Sequence, residues 1–84
     1  MATRIGPSMH YALRYVRDHD GAVSSAFELA RAVGPNGSAQ YGYEIVGRCV
    51  KAGLLAYDPD HLKAAANSNG AVVLTEAGES ALTD

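Results

Sequence analysis

The chain has 84 residues, 48% hydrophobic and 19% charged, and its seven Lys and Arg against nine Asp and Glu leave a formal net charge of -2. That describes one small globular domain with a single core, too short for separate cofactor and substrate domains and too acidic for a polybasic tail or a uniformly positive face. One cysteine excludes an internal disulfide and any zinc cage built on cysteine pairs.

Met1 to Pro7 contains no apolar stretch behind its arginine, so no secretory signal is read there. The longest apolar runs, Leu54-Leu55-Ala56-Tyr57 and Ala71-Val72-Val73-Leu74, are strand-sized. They fall far short of a membrane span. A cytoplasmic protein without membrane contact is the expectation.

The first helix opens at Gly6-Pro7-Ser8, because proline at the first helical position gives up an N–H that has no partner there anyway. Met9, Leu13 and Val16 then recur at spacings of four and three with Ala12 beside them, predicting a buried stripe. Arg14 and Arg17 point elsewhere. Asp18-His19-Asp20-Gly21 stops the helix, with glycine as its left-handed cap. Ala22-Val23 has room for a strand fragment only.

Ser25-Ala26-Phe27-Glu28 has the form of a capping box, in which the serine hydroxyl accepts from the Glu28 N–H and the carboxylate reaches back. It opens a second helix with Leu29, Ala30 and Val33 inward and Arg31 outward. Gly34-Pro35 ends it, Asn36-Gly37 turns the chain, and Ser38 caps a third helix running to about Ala52. On that helix Ile45 and Cys49, with Val46 or Val50, form the inward stripe. Gln40, Tyr43, Glu44, Gly47, Arg48 and Lys51 are left toward solvent.

Gly53 ends the third helix and a strand follows over Leu54 to Tyr57, closed by Pro59. A polar loop over Asp60 to Gly70 ends in the turn signal Asn67-Ser68-Asn69-Gly70, and Ala71 to Leu74 returns as a second strand. Thr75 caps a short last helix, Glu76 to Leu82, whose first turn carries acidic side chains that suit its N-terminus. The expected class is α+β, mostly α: a single domain over 1–84 with three helices, a two-stranded β-hairpin and a short C-terminal helix.

Three segments carry a family resemblance. Phe27-Glu28-Leu29-Ala30-Arg31-Ala32-Val33-Gly34 resembles the second helix and turn glycine of bacterial helix-turn-helix regulators. Ile45 to Leu55 is similar to their recognition helix running into the first wing strand, and Leu74-Thr75-Glu76-Ala77-Gly78 resembles the segment leaving the wing in regulators of the MarR and PadR type. The chain thus looks like a minimal winged helix-turn-helix domain of the sort that phages and mobile elements encode. Its turn at Gly34-Pro35-Asn36-Gly37 stands at the long end of the usual three or four residues, and the long dimerisation helices of those families are not expected in it.

The resemblance implies double-stranded DNA as partner and transcriptional regulation, repressor-like, as role, with the third helix in the major groove. It places Ser38, Gln40, Tyr43, Gly47, Arg48 and Lys51 at the interface, with Lys63 as the wing's single cation. Gln suits adenine and Arg suits guanine in bidentate contact, while Lys51 lies nearer a phosphate. The other polar residues of the loop read as a solvated turn. Gly42 and Gly47 each cost a helix about 1 kcal/mol relative to alanine. Packing against another helix is the first explanation for Gly42. For Gly47, packing and close approach to DNA both stand.

Charge limits that reading. Residues 38–57 sum to +1 from Arg48 and Lys51 against Glu44, and residues 58–70 to -1 from Lys63 against Asp58 and Asp60. Phosphate neutralisation supplies most nonspecific affinity, so a homodimer or a protein partner is expected on the duplex. Tyr11 and Tyr15, four apart and off the apolar stripe, are either a partner surface or a flank of the core. A winged-helix adaptor that binds protein and no DNA is the alternative reading. His10, His19 and His61 lack metal-ligand spacing, Cys49 lies on the inward stripe with no histidine to activate it, and no phosphate loop or nucleophile elbow exists. Neither enzyme activity nor a cofactor is expected.

Overall fold

A computed structural model describes residues 5–58 and 71–83. Helix α1 spans Pro7–Asp18, strand β1 Ala22–Val23, α2 Ala26–Val33, α3 Ala39–Lys51, β2 Leu55–Asp58, β3 Ala71–Leu74 and α4 Glu76–Thr83, with a 3-10 turn at Pro35–Gly37 between α2 and α3. The class is α+β, mostly α.

The ends of the helices follow their local chemistry. Pro7 opens α1 after Gly6, and the chain leaves it through Asp20 and Gly21, both left-handed at φ 64° and 83°. Ser25 Oγ accepts from the Phe27 and Glu28 N–H groups at 3.2 and 3.4 Å. The Glu28 carboxylate accepts the Ser24 hydroxyl at 3.1 Å, so the reciprocal half of the expected box takes a different partner. Ser38 Oγ accepts from the Tyr41 N–H at 3.5 Å at the head of α3. Thr75 does more than cap α4. Its Oγ1 accepts from the Gly78 N–H at 3.0 Å and donates to the Gly53 carbonyl at 2.6 Å, joining the start of α4 to the end of α3.

The sheet corrects the two-stranded hairpin. It has three antiparallel strands in the order β1-β3-β2, with β3 central. Leu55 pairs with Leu74 and Asp58 with Ala71 on one side, while Ala22 pairs with Val73 and Val23 with Val72 on the other. The Leu74 N–H also donates to the Gly21 carbonyl at 2.8 Å. Two residues are too few to show a period, so the sequence carried no sign of this pairing. The reason is physical: Ala22 and Val23 are buried, and their backbone groups need partners that the second edge of β3 supplies.

The core lies where α1, α2, α3 and the sheet meet, filled by Leu13, Val16, Val23, Leu29, Val46, Cys49, Leu54, Leu55 and Val72. Each of these side chains is essentially out of water, and burial of that kind contributes roughly 1.5–3 kcal/mol per Leu or Val. Met9 and Val33 sit at its border, half-buried. Among the described residues no helix is long and apolar enough to cross a membrane.

Candidate nucleic-acid interface

The position of α3 is set by glycine. At Gly42 a Cβ would overlap the Ala30 carbonyl, and at Gly34 one would overlap the Ser38 carbonyl. The α2 and α3 backbones therefore touch where the turn closes, at Gly34 and Ser38, and again one helical turn further on, at Ala30 and Gly42. The turn itself reverses through left-handed Asn36 and Gly37, at φ 56° and 75°. Gly42 is thus a packing glycine. Gly47 differs: among the described residues, its chain neighbours and its own helix backbone aside, no heavy atom lies within 4 Å of where its Cβ would be.

The inward side of α3 consists of Gly42, Val46 and Cys49, with Ile45 and Val50 half-buried beside them. Of the expected stripe, Cys49 and Val46 are buried while Ile45 and Val50 are half-buried, and Gly42 joins the inward side. The close crossing at Ala30 sets the Gly42 side of the helix against α2, and Val46, four residues on, lies on that same side. Gln40, Tyr41, Tyr43, Glu44, Gly47, Arg48 and Lys51 are left exposed. Ser38 is half-buried at the N-terminus of the helix. Of the site residues read from sequence, Gln40, Tyr43, Gly47, Arg48 and Lys51 thus share one exposed helical face, and Ser38 stands at its head. Lys63, Pro59, His61 and the polar loop lie outside the described residues.

Two residues extend this surface onto α2. The Phe27 ring is 50% exposed and lies 6.4 Å from the Tyr43 ring, centroid to centroid, with the planes tilted by 44°. The Arg31 guanidinium carbon stands 5.9 Å from the Phe27 centroid, within the range of a cation–π contact. Phe27 was not singled out from sequence, although one sign was present. It falls off the stripe of Ala26, Leu29 and Ala30, so a large apolar ring had to lie on the polar side of α2. The outward sides of α2 and α3 together carry Arg31, Arg48 and Lys51 against Glu28 and Glu44. Neither Arg48 nor Lys51 pairs with a carboxylate among the described residues.

Other candidate groups have structural roles. Cys49 is buried with its Sγ 4.0 Å from the Met9 carbonyl, and burial pushes its thiol up to about 11, which keeps it protonated and unreactive at neutral pH. Tyr15 is half-buried against the core and stacks on His19 at 4.2 Å, while His19 Nδ1 lies 2.7 Å from the Tyr15 carbonyl oxygen. Burial, then the Glu28 and Tyr11 charges, raises the Tyr15 phenol above its ordinary value. Tyr11 remains exposed, so the tyrosines of α1 do not form one open pair. Among the described residues no three His, Cys, Asp or Glu side chains converge on a point that could hold a metal ion.

Compared with protein-family models, with curated proteins and with solved structures, the chain finds no match.

Proposed function

We propose that the chain is a winged helix-turn-helix DNA-binding protein, a small cytoplasmic regulator of repressor type, with α3 in the major groove and the β2–β3 pair as its wing. The observation that carries this reading is the outward face of α3. Gln40, Tyr43, Gly47, Arg48 and Lys51 are exposed together on a helix whose opposite side is locked into the core. Gln, Tyr and Arg are side chains that contact base edges and phosphates, and a bare Gly47 lets a duplex come close to the helix backbone. The N-terminal N–H groups of α3, beside Ser38, suit a phosphate oxygen.

The protomer has few cations, so two copies on one palindromic site are expected, each adding its own contacts. Selection from a randomised duplex pool, followed by sedimentation of the chain on the recovered site at about 150 mM salt, tests both points. Enrichment of a site and two protomers per duplex is the expected result. Recovery of no site removes the DNA reading.

The second reading, a protein-binding adaptor, is favoured by the net charge of -2. It expects no retention of duplex DNA at any salt concentration.

A further inference from the structure

Phe27 is the chain's single phenylalanine, and half of its surface is in water. The fold does not need it there, since α2 is held to the core by Ala26, Leu29 and Ala30. It is nonetheless well placed. Its N–H is tied to Ser25 Oγ at 3.2 Å in the first turn of α2, and its ring rests against Tyr43 of α3. One helical turn beyond Tyr43 comes Gly47, with open space where a side chain would be. The aromatic pair thus stands one helical turn from the single position of α3's outward surface that carries no side chain, on the same surface as Gln40, Arg48 and Lys51.

A surface of this composition fits an apolar group embedded in polar surroundings. On the base edges of the major groove there is one such group, the C5-methyl of thymine, which packs on aromatic and other apolar side chains without needing a hydrogen bond. Resting on the DNA-binding reading, we infer that Phe27 and Tyr43 form a seat for thymine methyl groups, with Arg31 beside the ring on a neighbouring phosphate. Arg31, Arg48 and Lys51 are opposed by Glu28 and Glu44 on the same two helices, so affinity has to draw on uncharged contacts as well as on phosphates. Gly47 completes the seat by letting the base edge pass close to α3.

The test compares one duplex in two forms: the site recovered from a randomised pool, and the same site made with deoxyuridine in place of thymidine. Uracil pairs as thymine does and lacks only the methyl group. The full chain should bind the thymine form more tightly, by about fourfold for each methyl seated. Phe27→Ala and Tyr43→Ala should each bind the thymine and uracil forms with nearly equal affinity, whatever their absolute affinity. Because both side chains are exposed, their circular dichroism melts should match the wild type. Equal wild-type affinity for the two forms overturns the seat and leaves DNA binding standing. A Phe27→Ala variant that keeps the full thymine preference also overturns it. Failure to enrich any duplex removes the DNA reading and the seat together, and assigns the aromatic pair to a protein contact.

Discussion

Gly42 of α3 lies directly on the carbonyl of Ala30 in α2, so near that a Cβ at position 42 would occupy the space of that carbonyl. This approach sets the crossing of the two helices, and with it the face of α3 that looks outward. Flexible side chains could not give way to relieve an added methyl, because the obstacle is backbone.

Gly42 and Gly47 should therefore respond in opposite ways to the same substitution. Gly42→Ala forces the helices apart and should lower stability by about 1–3 kcal/mol or more, despite alanine's better helix propensity. Gly47→Ala meets open space and should raise stability by up to about 1 kcal/mol. If the outward face approaches a duplex closely at that point, Gly47→Ala should also weaken DNA binding. Urea denaturation of both variants, beside binding to the recovered duplex, checks the pair. A destabilised Gly47→Ala would show that position 47 is packed.

Arg48→Ala should leave the melting temperature nearly unchanged, since Arg48 is exposed and surface changes usually stay within about 0.5 kcal/mol. Its effect on binding then distinguishes two roles for the guanidinium. If Arg48 holds a base edge in bidentate fashion, the substitution should cost about 1–3 kcal/mol of binding and relax preference at one base pair. If it holds a phosphate, binding should weaken equally on all sequences and the salt slope should fall by about one. Thermal melts together with salt titrations on matched and mismatched duplexes make the measurement.

Cys49 should show its burial in two ways. Cys49→Ser places a hydroxyl among Val46, Leu13 and their neighbours and should destabilise the fold by about 1–3 kcal/mol while sparing the outward face. The native thiol also makes stability depend on alkaline pH. Its value is raised from 9.0 in the open chain to about 11 when folded, so the unfolded state releases the proton first. The contribution is fully present below pH 9.0 and is lost as pH rises toward about 11. Stability of the native chain should fall more steeply through that window than that of Cys49→Ala, as read by urea midpoints at successive pH values. Parallel decline in the two proteins would mean the thiol does not titrate differently on folding.

Much of the helical part of this protein is local in origin. The proline at the start of α1, the serines before α2 and α3, and Gly53 after α3 act through backbone geometry within a few residues, and the 3.6-residue period marks which side chains leave water. That is why the outward set on α3 could be read directly from spacing. Other features depend on residues far apart in the chain. Ala22-Val23 becomes a strand only because β3, almost fifty residues later in the sequence, offers a free edge, and two residues alone have no pattern. That Val46 is buried more deeply than Ile45 goes with the close approach of Gly42 to Ala30, which involves the shape of two helices rather than the composition of either. Phe27 meets Tyr43 for the same reason. Local rules decide where helices begin, end and turn their apolar sides, whereas the packing of one element on another decides which surfaces finally stand side by side.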